Sequence, residues 1–88
     1  MSTLFNLGEI YATQGALDAH TAETLAECIK KHACGKWGDL CEEDKQANED
    51  ALKRGARILS RYNLDGGAVY VITEWDRSVT TVLLACEY

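Results

Sequence analysis

Two groups of side chains in this sequence are of types that do chemistry. Cys28 and His32 stand four residues apart, which on a helix puts them on one face, and Cys34 and Cys41 follow closely. Thiolates and an imidazole are zinc ligands. However, the chain has no C-x-x-C pair, and the spacings of six and seven between its cysteines match no common zinc pattern. Cys28 also falls on an apolar stripe, where cysteine packs as a small hydrophobe. Cys41 as a nucleophile is weaker still. A helix N-terminus lowers a thiol pKa, but five neighbouring carboxylates oppose that shift. We expect no metal, no cofactor and no catalytic residue.

The second group is acidic. Within KWGDLCEEDKQANEDALKRG, the twelve residues from Asp39 to Asp50 set six acids (Asp39, Glu42, Glu43, Asp44, Glu49 and Asp50) against one base, Lys45, and sum to −5. The whole chain also carries −5, and the remainder is therefore neutral in sum. Acid–base catalysis needs a pocket that perturbs a carboxyl pKa, and no part of the sequence implies one. Such a run is most simply a solvated helix start. Its sharper reading is a docking face for a basic protein surface. Trp37 before the run is a candidate anchor or else a lid on the core edge. In TEWDRSV, Glu74, Trp75, Asp76 and Arg77 offer residue types common at binding hot spots. There is no glycine-rich phosphate loop, H-E-x-x-H or G-x-S-x-G. Basic residues among aromatics are too sparse for an RNA platform, and an acidic chain is repelled by bare nucleic acid.

These side chains need a frame. LFNLGEIYA (4–12) reads as a strand or extended arm bent at Gly8, suited to a sheet edge. Thr13 opens a short helical turn. Thr21 caps a helix with Leu25, Cys28, Ile29 and His32 at helical spacing, Lys30 and Lys31 near its end, and Gly35 as its stop. Asp39 and Glu42 form a D-x-x-E start to the acidic helix, and Lys53, Arg54 and Gly55 close it. Leu40, Ala47 and Ala51 give that helix one narrow apolar stripe, so most of its girth should be wet. From about 56 to 86, three strands follow, divided by the D-G pair of LDGG and by the DRS turn. In the middle strand Val69, Val71, Thr73 and Trp75 point one way, and Ala68, Tyr70, Ile72 and Glu74 the other. Both faces are rather apolar, so the second is expected to be covered by a helix or another subunit.

The expected architecture is one α+β domain over residues 1–88. A three-stranded C-terminal antiparallel meander packs against two or three helices, with the N-terminal strand available at an edge. No stretch approaches the ~20 apolar residues that span a bilayer. MSTLFNLGEI lacks the basic region and apolar core of a signal peptide. We therefore expect a cytoplasmic protein with its four cysteines reduced.

Three stretches, LFNLGEIYATQGAL, WGDLCEEDKQANEDALKRGARILSRY and VYVITEWDRSVTTVLL, cover most of the chain. Together they resemble a family of small "plasmid-related" proteins of mobile genetic elements, some labelled type I restriction subunit M. The specific parts are WGDL-x-EEDK-x-x-N, from Trp37 to Asn48, and ITE-x-DRSVTT, from Ile72 to Thr81. The sequence departs from that pattern at Trp75 and in its ending ACEY. A methyltransferase subunit would need a cofactor domain far larger than 88 residues, so that label is set aside. The resemblance implies a setting of mobile DNA and its contest with host defence.

Two expectations follow. The first is a non-enzymatic protein that binds a host protein through the acidic helix and inhibits a defence system, in the manner of an anti-CRISPR or anti-restriction factor. The second is an accessory factor for transfer, maintenance or regulation of the element, acting as a homodimer through the second sheet face. A small metal-dependent enzyme is a remote third.

Overall fold

The computed structural model describes residues 3–88; Met1 and Ser2, part of the stretch read for a leader, lie outside them. The chain runs β1 (Glu9–Ala12), α1 (Gln14–Ala19), α2 (Ala22–Ala33), α3 (Glu42–Arg54), β2 (Ile58–Tyr62), β3 (Val69–Thr73) and β4 (Val79–Leu84), then a 3-10 turn over Ala85–Glu87. The strands form one mixed sheet in the order β1-β4-β3-β2. The expected meander is β2-β3-β4, antiparallel throughout. The N-terminal strand takes the edge beside β4 and runs parallel to it, Ile10 opposite Thr80. The fold is α+β.

The local signals explain the elements. The Thr13 hydroxyl accepts from the Ala16 amide, and Thr21 accepts from Thr24, each satisfying a free N–H of a helix's first turn. Glu42, Glu43 and Asp44 lie at the positive end of α3, and Lys53 and Arg54 at its negative end. That helix begins later than the D-x-x-E pattern predicts. Its N-cap is Cys41, which makes no side-chain capping bond. The Asp39 carboxylate is used elsewhere: it accepts from the Asn63 amide at 2.8 Å, just past β2.

Residues facing the helices alternate along each strand. Ile58, Ser60 and Tyr62 of β2, Val69, Val71 and Thr73 of β3, and Thr80 and Val82 of β4 are buried. They build two apolar clusters. Ala16, Leu25, Cys28, Tyr62, Val69, Val71 and Val82 form one under α1 and α2. Trp37, Ala51 and Ile58 form the other under α3, flanked by Phe5, Leu40 and Leu52. Each fully buried Val or Ile contributes about 1.5–3 kcal/mol relative to exposure. Trp75, expected on this inward face, instead lies in the β3–β4 turn and is 66% exposed.

Among the described residues, no α-helix lies over the second face of the sheet. Its own side chains contact one another there. The Arg61 guanidinium stands 5.5 Å over the Tyr70 ring and donates to its hydroxyl. Tyr88 packs on Tyr70 at 5.1 Å, and Arg57 donates to the Tyr88 hydroxyl. Under this layer Ile72 is buried.

The β2 edge of the sheet is closed. Arg61 N–H donates to the Trp37 carbonyl, and Asp39 N–H donates to the Arg61 carbonyl, so Trp37–Asp39 runs alongside as a short parallel bridge. Gly38 makes this approach possible. Its φ is +79°, and a Cβ there would overlap the Arg61 carbonyl. Next along β2, the Asn48 side-chain amide takes both backbone groups of Leu59, donating to its carbonyl at 2.7 Å and accepting from its N–H at 3.1 Å. α3 therefore docks through Asn48, Ala51 and Leu52, while Ala47, expected on its apolar stripe, is exposed. Hydrophobic periodicity does not register an amide acting as a surrogate strand.

Candidate recognition surface

The acids divide into two classes by what their oxygens contact. Asp39 holds the Asn63 amide, and Glu49 accepts from Trp37 Nε1 at 2.9 Å. Asp50 accepts from Gln46 at 3.3 Å. Glu42, Glu43 and Asp44 are exposed on the first turn of α3. Their one ion pair among the described residues is Lys45 with Glu42, at 3.9 Å. So the acidic stretch presents three exposed carboxylates at one helix end, one of them in a long pair with Lys45, rather than six along a face. This is narrower than the sequence suggests, because two of its acids hold the fold together.

Trp37 is 5% exposed and offers no anchor. Its ring stacks 6.3 Å from Phe5 and stands edge-on to His32 at 6.0 Å. The lid reading describes its place. Trp75 is the exposed aromatic at the hairpin tip. Glu74 is half-buried beside it. The Asp76 carboxylate accepts from both the amide and hydroxyl of Ser78, and these bonds hold it below its ordinary carboxyl range.

Arg77 is half-buried and occupied. Its guanidinium donates to the carbonyls of Ala56 at 2.6 Å, Ala51 at 3.2 Å, Glu74 at 3.1 Å and Trp75 at 3.3 Å. It thereby pins the hairpin tip to the C-terminal turn of α3, where an arginine complements the helix dipole. It does so at φ 61°, a left-handed conformation costly for a side chain with a Cβ. The hairpin tip and the acidic turn thus lie at opposite ends of α3, about 20 Å apart for thirteen residues.

A buried polar chain runs through the core, a feature that charge and apolar spacing alone do not reveal. His32, Ser60, Thr73 and Thr80 are all 0% exposed. Ser60 Oγ is 2.6 Å from His32 Nδ1, and His32 Nε2 is 2.9 Å from Thr73 Oγ1. Thr73 is 2.7 Å from Thr80, which donates to the Leu7 carbonyl at 2.7 Å. The carbonyl can only accept, and this fixes the direction of the whole chain. Thr80 gives its proton to Leu7, Thr73 gives to Thr80, and His32 must give to Thr73 from Nε2. Nδ1 then accepts from Ser60. Burial, and secondarily the Arg77 charge, lower the His32 pKa to about 4, so the ring is neutral at pH 7.

A serine hydroxyl on an imidazole has the outline of a nucleophile–base pair. Here neither residue reaches solvent, and the ring's far partner is a hydroxyl rather than a carboxylate. Both ring nitrogens are engaged, so His32 cannot ligate a metal without breaking this chain. Cys28 is buried in the first cluster with its thiol pKa pushed up, chiefly by burial, while Cys41 is exposed at the start of α3. No group of three or more His, Cys, Asp or Glu among the described residues is arranged to hold a metal. A polar residue at an inward strand position, as at Ser60, Thr73 and Thr80, together with a histidine on a helix's apolar stripe, was the available signal.

Two open cavities lie on the surface. One, about 600 Å³, runs along Phe5–Gly8 to Ile10 and Arg77; the other, about 320 Å³, lies where Asp44, Ala47 and Asn48 of α3 meet Arg57, Leu59 and Tyr70. Neither is lined by His32 or Ser60. No helix among the described residues is long and apolar enough to cross a membrane. No protein-family model, curated protein or solved structure matches this chain.

Proposed function

We propose that this protein is a non-enzymatic recognition module of a mobile genetic element, acting in the cytoplasm, that engages a basic protein surface with the first turn of α3. The supporting observation is that Glu42, Glu43 and Asp44 are exposed and hold no other element of the fold, Glu42 meeting only Lys45 of its own helix, whereas Asp39 and Glu49 are tied into the fold. Carboxylates free of internal duties can be exchanged for a partner's cations at little cost to the monomer. The exposed Trp75 at the far end of the same helix supplies an aromatic anchor of the kind enriched at binding hot spots. A host restriction or CRISPR effector, whose groove is built to hold nucleic-acid phosphate, has the matching charge.

The test is capture of basic host proteins at low and high salt, followed by titration of the captured protein with the wild type and with E42K/E43K/D44K. Binding should be salt-sensitive and compete with DNA. Charge reversal should weaken it at least tenfold, and Trp75→Ala should weaken it further. Binding unchanged by the triple reversal would overturn the proposal.

A further inference from the structure

The two edges of the sheet are treated differently. The β2 edge is closed by Trp37–Asp39 and by the Asn48 amide. β1 stands at the other edge, and among the described residues it pairs only on its β4 side. Two of the chain's exposed large apolar side chains belong to it, Ile10 at 49% and Tyr11 at 53%. An uncovered strand edge carries unpaired backbone donors and acceptors that another strand can meet.

Which groups are unpaired follows from the register. Glu9 N–H donates to Ser78 O, and Thr13 N–H donates to Val82 O. In a parallel ladder alternate residues turn toward the neighbour, so Glu9, Tyr11 and Thr13 face β4. Ile10 and Ala12 then turn their N–H and C=O groups outward.

We infer that the outer edge of β1 pairs antiparallel with β1 of a second copy, about a two-fold axis at Ile10. An axis at Tyr11 would present groups already bonded to β4, and one at Ala12 would run into α1, which begins at Gln14. The axis at Ile10 is self-complementary. Ile10 exchanges two backbone bonds with its symmetry mate, and their apolar side chains meet on the helix side of the sheet. On the other side Tyr11 stands opposite the mate's Glu9, so a phenol faces a carboxylate and no like charges meet. Within one chain the Tyr11 hydroxyl already donates to Glu9, at a long 3.5 Å. Charge over the whole molecule permits the arrangement. The acidic α3 helices lie beyond the β2 edges, and seven inter-strand steps place those edges roughly 34 Å apart, several Debye lengths at physiological salt. The partner is thus a second copy of this chain, and the product is one continuous eight-stranded sheet with an acidic helix at each end.

The experiment is sedimentation equilibrium across a concentration series up to near-millimolar, with amide hydrogen exchange on the same samples. Mass should rise from 9.7 kDa toward twice that value. The Ile10 and Ala12 amides should gain protection with concentration, and those of Glu9 and Tyr11 should not. Ile10→Pro removes an outward N–H and leaves the β4 ladder intact, so it should remain at single-chain mass with an unchanged circular dichroism spectrum. If that variant does not fold, Ile10→Lys, which sets two ammonium groups together at the axis, should lower the association constant at least tenfold. A wild type that stays at single-chain mass, a dimer that persists in these variants, or exchange at Ile10 that ignores concentration would overturn the inference.

Discussion

His32 is the residue on which pH acts most directly. The fold accepts its ring only as neutral Nε2–H, because Nδ1 must accept from Ser60 and the chain beyond it ends on a carbonyl. Its folded pKa is lowered from 6.5 to about 4. Protons therefore bind the unfolded chain more readily than the folded one between these values. The stability is fully present above about 6.5 and is lost as pH falls toward about 4, a total on the order of 3 kcal/mol. Urea unfolding at a series of pH values should show this slope in the wild type, and His32→Gln should lack it. Arg77 allows a second test. Arg77→Ala loses four charged donations to backbone carbonyls while keeping the left-handed backbone, and should cost on the order of 2 kcal/mol or more. Arg77→Gly relieves the backbone and should be less damaging by about 1 kcal/mol. Equal losses in the two variants would place the cost in the clamp alone.

At the scale of elements, α3 is held by a few contacts and is polar elsewhere. Reversing Glu42, Glu43 and Asp44 should leave the circular dichroism spectrum unchanged and shift stability by less than about 1 kcal/mol, since none of them packs against the sheet. Asn48 is the opposite case. Asn48→Asp keeps the shape but sets a carboxylate against the Leu59 carbonyl, and should cost about 1–3 kcal/mol by chemical denaturation. The helices and the meander were legible in the sequence because caps, apolar spacing and the D-G turn act locally. Thr13 and Thr21 cap where their positions say they should. The start of α3 was not legible, because Asp39 is drawn to Asn63 by a contact across twenty-four residues. Likewise, no local pattern distinguishes an asparagine that seals a strand edge from one in solvent.

For the whole molecule, the α+β class and an edge position for the first strand were readable from the order of elements, but the strand read over 4–12 is regular only from Glu9 to Ala12. Its parallel direction depends on where the chain's two ends meet, which no window of sequence contains. The acidic surface was legible in its charge but not in its extent, since partner atoms of Asp39 and Glu49 come from distant segments. Trp37 and Arg77 illustrate the same limit. Their types suit an interface, and packing places one in the core and uses the other as a clamp.

The pairing of Ile10 with Thr80 joins residues seventy apart in an 88-residue chain. During translation the first strand leaves the ribosome while its neighbour has yet to be made. Its inner side can be satisfied only after β4 has been made, so closure of that border waits on a strand seventy residues downstream. Until then the nascent polypeptide carries an adhesive ribbon open on both sides, and crowding on a polysome would bring neighbouring copies within its reach.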